Sequence, residues 1–380
     1  MFIKKNKLKY DIQSFLGIIG ALIIIGFLFI YSASSVYALE HLGSSHYFVK
    51  KQLVGLFLGM IAFFIARNIS LNFIEIITPY TFFTSLFLTI LTLVPQFSVK
   101  IHGSSRWLKL GFVTFQPSEL LKIAFILYIA RFLAKKHDKP FSFTGSYVPF
   151  LIIIGVTSGL LLLQPDFGLA VTLSVTAFIL LFIGGFPLKH LLLTGAALLP
   201  VVGILIFKYA YRLKRILTFL NPWNDPQGAG FQIIQSLIAI GSGGWWGSGI
   251  SHSKQKFFYL PMQHTDFIFS IIAEETGFVG SSLIILLFFF FLYFGLRIAW
   301  QLKNPFHIFT SLATVILISL QAIINIFVAT GLLPTKGIGL PFISYGNSSL
   351  VCTLAMIGLI VNMASQEYGY KEKSFFTSIA

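Results

Sequence analysis

The chain is cut into apolar runs of about twenty residues, and that feature limits its fold more than any other. A run of ~20 residues crosses the ~30 Å hydrocarbon layer of a bilayer as a helix. The runs lie at about 14–37, 48–66, 73–95, 117–134, 147–164, 168–185, 189–208, 266–298, 307–331 and 341–364. Helices follow because a helix satisfies its own backbone hydrogen bonds in lipid, and the short alternating pattern of a membrane barrel is missing. The expected fold is an all-α polytopic membrane protein of about ten transmembrane helices, one domain over 1–380. A large extracytoplasmic loop is expected at about 209–265, between helices 7 and 8, with basic cytoplasmic tails at 1–13 and 365–380.

Composition agrees: 56% of the 380 residues are hydrophobic and 10% charged, against about 25% charged in soluble domains. The formal charge of +15 is scattered over many interhelical loops, which points to anionic lipid surfaces and away from nucleic acid. The single cysteine, Cys352, allows no disulfide framework within the chain. The start resembles a secretory signal, with Lys4, Lys5, Lys7 and Lys9 before an apolar run. A retained first helix needs the same features and is the expectation here.

Basic residues in short loops set orientation. The N-terminus, Arg131 with Lys135, Lys136 and Lys139, Arg297 with Lys303, and Lys371 with Lys373 fall on one side, which should be cytoplasm. Both termini are then inside, and the segments near 96–116, 209–265 and 332–340 outside. Those outer segments also hold Lys100, Arg106, Lys109, Lys208, Arg212, Lys214, Arg215, Lys254, Lys256 and Lys336. Cations on the translocated side suit an anionic substrate, or simply lipid head groups. In the long loop, the apolar residues from Phe231 to Ile240 and the Trp245–Trp246 pair favour a folded element at the membrane interface.

With only 12 acidic residues, any carboxylate near membrane depth is notable, because an intramembrane charge costs a few kcal/mol or more. Asp266 opens a span, where it can cap the helix or act as a base that burial has made basic enough. Glu274 and Glu275 lie on other faces of that helix and cannot both be its partners. Glu119 and Lys122, three residues apart, share a face and can pair inside the bundle. Gln164-Pro165-Asp166 reads as a tight turn between two spans, and the stretch from Gly331 to Gly346 as an outer hairpin presenting Lys336. No HExxH, Walker loop or GxGxxG occurs, and His264 beside Asp266 lacks metal-site spacing. To this point the residues fit a lipid-processing enzyme, a transporter or a scaffold alike.

Four motifs in order decide further: Arg106-Trp107-Leu108 with Gln116-Pro117-Ser118-Glu119-Leu120-Leu121-Lys122; Gln164-Pro165-Asp166-Phe167-Gly168; Leu260-Pro261-Met262-Gln263-His264-Thr265-Asp266-Phe267 continuing to Glu274-Glu275-Thr276-Gly277; and Pro341 to Ser349. Together they resemble the SEDS family of shape, elongation, division and sporulation proteins over nearly the whole chain. Asn221-Pro222-Trp223 and Leu333-Pro334-Thr335-Lys336-Gly337 look more like the division member of that family than the elongation member.

The resemblance implies a peptidoglycan glycosyltransferase of the bacterial cytoplasmic membrane, acting at the division site. It would join lipid II to an undecaprenyl-pyrophosphate-linked glycan beside a class B penicillin-binding transpeptidase and other division proteins. It implies Asp266 as the essential acid, and Arg106, Lys122, Lys336, Glu119 and His264 as residues toward substrate. A resident metal site is not expected; a divalent cation, Mg or Mn, would arrive with substrate. An elongation polymerase or a lipid II flippase is the alternative. Two departures, Met262 where many relatives have Glu and Asn347 where they have a second Gly, bear on the electrostatics of the cavity and on the last hairpin.

Overall fold

The computed structural model describes residues 2–101, 104–110, 113–137, 142–207, 210–228, 230–253 and 263–367. Lys139, Lys208, Lys254, Lys256, Met262, Lys371 and Lys373, named above, lie outside them. Twelve α-helices run in chain order among the described residues. They are α1 (Phe2–Leu42), α2 (Tyr47–Asn68), α3 (Leu71–Leu91), α4 (Pro117–Lys136), α5 (Val148–Leu163), α6 (Phe167–Ile183), α7 (Leu188–Phe207), α8 (Ala210–Leu220), α9 (Phe231–Gly243), α10 (Ile268–Gln301), α11 (Pro305–Ala329) and α12 (Asn347–Glu367).

Every apolar run falls on a helix, and among the described residues seven helices are long and apolar enough to cross a membrane, with shorter apolar helices beside them. The chain is a helical, multi-pass membrane protein. Many helix residues toward the outside of the bundle are large and apolar yet exposed, such as Phe57, Ile65, Leu199 and Phe289, the surface a bilayer covers. The core lies around α11, whose Leu312, Val315, Leu317 and Ile318 are fully buried against residues from α1, α4, α6, α10 and α12.

Three differences from the sequence reading have physical causes. The segment near 96–116 holds a three-stranded antiparallel sheet, β1 (Ser98–Ile101), β2 (Ser104–Leu110) and β3 (Val113–Phe115), so the fold is not wholly α. Strands this short carry little periodic signal. Helix α1 is far longer than its apolar run, because Asp11 is buried and its polar end is satisfied inside the protein by Arg297 at 3.1 Å and Gln301 at 2.8 Å. Helix α12 begins at Asn347 and not at Pro341, since Phe342 has a φ of 65° and Ser344 Oγ donates to Thr265 O at 2.5 Å, holding 341–346 as a turn.

Hydrogen bonds define the two ends of the bundle. At one end Glu367 of α12 accepts from the N–H groups of Lys303 and Asn304 and pairs with His307 at the start of α11. At the other end meet the starts of α4, α6, α10 and α12 and the ends of α3 and α11, joined by the sheet and the 331–346 hairpin.

Candidate active site

The site lies at that second end. Its centre is Asp266, in the turn that leads into α10. The residue flanking the helix is Phe267, which makes no side-chain capping bond, so the helix start does not consume the Asp266 carboxylate as a cap. The backbone of this turn is pinned instead: Asn325 Nδ2 of α11 donates to Asp266 O and to Ile338 O, both at 2.8 Å. One amide thereby fastens the Asp266 turn to the Lys336 hairpin.

Arg106, on β2, reaches across to the α5–α6 turn. Its Nε donates to Gln164 O at 3.1 Å and its Nη2 to Pro165 O at 2.6 Å, while Nη1 lies 3.6 Å from Asp166 Oδ2. Gln164 is itself locked: its side-chain amide donates to Thr89 O at 2.9 Å and to Thr92 Oγ1. Asp166 caps α6 by accepting from Leu169 N at 3.2 Å. The turn foreseen from Gln164-Pro165-Asp166 is therefore present, and it also orients an arginine.

Gly337 shows how closely the elements converge. A Cβ there would sit 3.8 Å from Asp266 Oδ2 and 3.9 Å from Arg106 Nη1. Next to it, Lys336 Nζ lies 5.4 Å from the ring centroid of Phe167 at the start of α6, a cation–π contact. Arg215 of α8 donates to Thr335 O at 3.3 Å, bringing a third cation to the hairpin.

Burial pushes Asp266 up to about 6, against the opposing pull of Arg106 and Arg215 and with help from the negative charge of Asp166. Such a carboxylate is mostly ionised at neutral pH yet more basic than an ordinary aspartate, which suits a general base. Asp166 is also raised by burial, with Arg106 and the Leu169 hydrogen bond pulling the other way. Lys336 is lowered by burial, so its ammonium is poorly solvated and gains from an incoming anion.

The remaining expected residues fall in two places. Lys122 is fully buried and 2.5 Å from Glu119 Oε2; the pair sits below Asp166, close enough to act on its charge. His264 packs on the α1–α2 side, its ring centroid 4.3 Å from Phe48 and 5.9 Å from Tyr345, and its carbonyl accepts from Tyr345 N at 3.0 Å. Arg106 and Asp266 thus meet at Gly337 of the hairpin that carries Lys336, Glu119 and Lys122 lie beneath, and His264 flanks. Sequence reasoning marks Asp166 as one of four carboxylate sites near membrane depth but reads it as a turn residue, and it names Arg215 only among the outer cations. The signal available for each was local only, a turn carboxylate and one cation among several in a basic helix.

Among the described residues no group of three or more His, Cys, Asp or Glu comes together.

Fold and site together define a multi-pass helical membrane protein with a buried, basic aspartate among cations at one end of its bundle. The chain belongs to the cell cycle protein family of FtsW, RodA and SpoVE, whose model matches residues 13–369. It is 41% identical over 357 residues to a probable peptidoglycan glycosyltransferase FtsW of Trichlorobacter lovleyi, covering 94% of this chain and 93% of that one. It is 40% identical over 343 residues to stage V sporulation protein E of Bacillus subtilis, covering 90% and 94%. Among solved structures it is similar to a chain of a peptidoglycan synthase complex that coordinates polymerization and crosslinking, with a TM-score of 0.77, 31% identity and coverage of 94% and 98%. Thermus thermophilus rod shape determining protein RodA is also similar, with a TM-score of 0.69, 27% identity and coverage of 93% and 96%.

Proposed function

We propose that this protein is a peptidoglycan glycosyltransferase that polymerises lipid II into glycan strands, with Asp266 as its general base. The observation that carries the assignment of roles is the meeting of Asp266, Arg106 and the Lys336–Gly337 hairpin at one end of the bundle.

In this reading Asp266 takes the proton from the GlcNAc 4-hydroxyl of one lipid II while that oxygen attacks the anomeric carbon of the lipid-linked chain. The new C–O bond forms as the bond to pyrophosphate breaks, and undecaprenyl pyrophosphate leaves. A β link from an α-linked donor requires inversion, hence one displacement with a positioned base and no covalent glycosyl-enzyme. Negative charge builds on the departing pyrophosphate, where Arg106 and Lys336, with Arg215 behind them, stabilise it. Lys122 acts through the Glu119 pair by setting the field under Asp166. A divalent ion, where one takes part, comes with the pyrophosphate.

In the same reading the helices that carry the ten apolar runs cross the membrane with both termini in the cytoplasm, which puts the site and the 209–265 segment at the outer face as parts of one SEDS-type domain. The partner is a crosslinking enzyme, a class B penicillin-binding transpeptidase, and the setting is the division site; the FtsW names of several relatives about 40% identical support division over elongation.

The test is glycan polymerisation from purified lipid II by the protein with its transpeptidase, comparing wild type with Asp266→Asn at equal folded yield. Polymer from wild type alone is the expected result. Equal polymer from both removes Asp266 as the base. Movement of lipid II across liposomes without joining would make the protein a flippase.

A further inference from the structure

Helix α10 is two helices. Gly277 has φ 65° and ψ −160° inside it, which breaks the α-helical hydrogen-bond ladder and divides a short segment, 268–276, from the long apolar helix that follows. Asp266 rides on the short segment. What holds that segment therefore sets where the carboxylate points.

Two grips hold it. On one side the chain after α9 is sewn to the kink: Ser248 N donates to Glu274 O at 2.9 Å, Gly249 N to Glu275 O at 3.1 Å, and Phe278 N returns to Gly244 O at 2.8 Å. Ser236 of α9 adds a hydroxyl contact with Ser270 at 2.5 Å. On the other side Ser32 of α1 places its hydroxyl 2.6 and 2.8 Å from the two oxygens of Glu275. Ser253 N also donates to Glu275 Oε1 at 3.4 Å, and Ser253 Oγ meets Glu274 Oε2. Beside Ser32, Ala33 is packed in a small apolar cluster with Phe267, Ile271, Ile324, Val328 and Ile338. That cluster joins α1, the Asp266 segment and the Lys336 hairpin.

Glu275 is 1% exposed and Ser32 also 1%. A carboxylate buried so deeply carries a desolvation cost, and a leucine of similar volume would fill the space without it. What the polar pair supplies that an apolar one does not is direction, since hydrogen bonds fix angle and register while apolar packing slides.

We infer that Glu275, latched by Ser32, is a positioning residue that holds the 268–276 segment so that Asp266 faces Arg106 and the Lys336 hairpin. Among the described residues no hydrogen bond or ion pair joins Glu275 or Ser32 to Arg106, Asp266 or Lys336. The inference rests on the proposed polymerase reading.

The experiment compares wild type, Ser32→Ala, Glu275→Leu and the double variant, each with the transpeptidase, by steady-state polymerisation and by hydrogen exchange. Either single change is expected to lower kcat about 10- to 100-fold with KM unchanged, the scale of loss that an ~1 Å misplacement produces. The double variant should be no worse than Glu275→Leu. Amide exchange should rise across 263–276 and stay as in wild type across 278–301. Unchanged exchange in Ser32→Ala overturns the latch, as does faster exchange without loss of kcat. Exchange raised throughout the bundle also overturns it, because the role would then be general stability. Exchange needs no turnover, so a wild type that made no glycan would defeat the polymerase reading while the latch was still being tested.

Discussion

The proposed chemistry rests on one group, Asp266, and its raised pKa makes predictions with opposite signs for activity and stability. Burial lifts it from 3.8 to about 6, so as a base it should lose activity as pH falls through 6, giving an acid limb of unit slope in kcat/KM. For stability, the folded state binds this proton more tightly than the unfolded chain. The contribution is therefore full below 3.8 and lost as pH rises through 6. Asp266→Asn, which cannot ionise, should raise stability at pH 8 by about 2–3 kcal/mol and change little at pH 4, as read by thermal unfolding in detergent. A variant both inactive and more stable would be hard to explain as loss of a structural cap. The Glu119–Lys122 pair behaves in the opposite way. Lys122→Met strands a buried carboxylate and should cost about 3–5 kcal/mol, while Glu119→Gln together with Lys122→Met should recover most of it.

At the scale of elements, the kinked α10 is the critical part. A Cβ on Gly277 would press on Gly247 N and the Trp245 backbone, in a φ region that L side chains rarely adopt. Gly277→Ala should thus lower the thermal midpoint sharply, by several kcal/mol in equivalent terms, since strain and backbone overlap add. Gly241→Ala in α9, where an added Cβ meets nothing within 4 Å, should be mild. Equal effects from the two would mean that the break at Gly277 is not needed. The α9 segment was legible as an apolar run with tryptophans beside it, and Trp245 and Trp246 are indeed exposed, by 69% and 81%. Its weld to the α10 kink was not legible, because backbone hydrogen bonds between distant segments leave no periodic mark.

For the whole molecule, the proposed orientation predicts that a cysteine placed at Trp246 is labelled by an impermeant maleimide in intact spheroplasts, while one at Gln366 is labelled only after lysis. The reverse pattern would put Asp266 on the cytoplasmic side and remove lipid II polymerisation at the outer face. Depletion should give filaments, as division proteins do; rounding would move the protein to elongation.

Apolar runs of bilayer length settled the helical, multi-pass fold from sequence alone, because the hydrocarbon layer imposes one length and one hydrogen-bonding solution on every run. The cost of a charge near membrane depth placed Asp266 among a few carboxylates, and the resemblance carried by its motif singled it out. The resemblance named Arg106 and Lys336, but how they are brought toward that acid, and that Asp166 and Arg215 join them, was decided only by tertiary structure. Arg106 lies on a short sheet, Asp166 in a turn, Lys336 on a hairpin and Arg215 on a separate helix. Their meeting depends on contacts between segments up to 230 positions apart, Arg106 to Lys336, and on the break at Gly277 that aims the short helix. Local pattern cannot encode such meetings, because burial and the approach of opposite charges exist only once the bundle has closed.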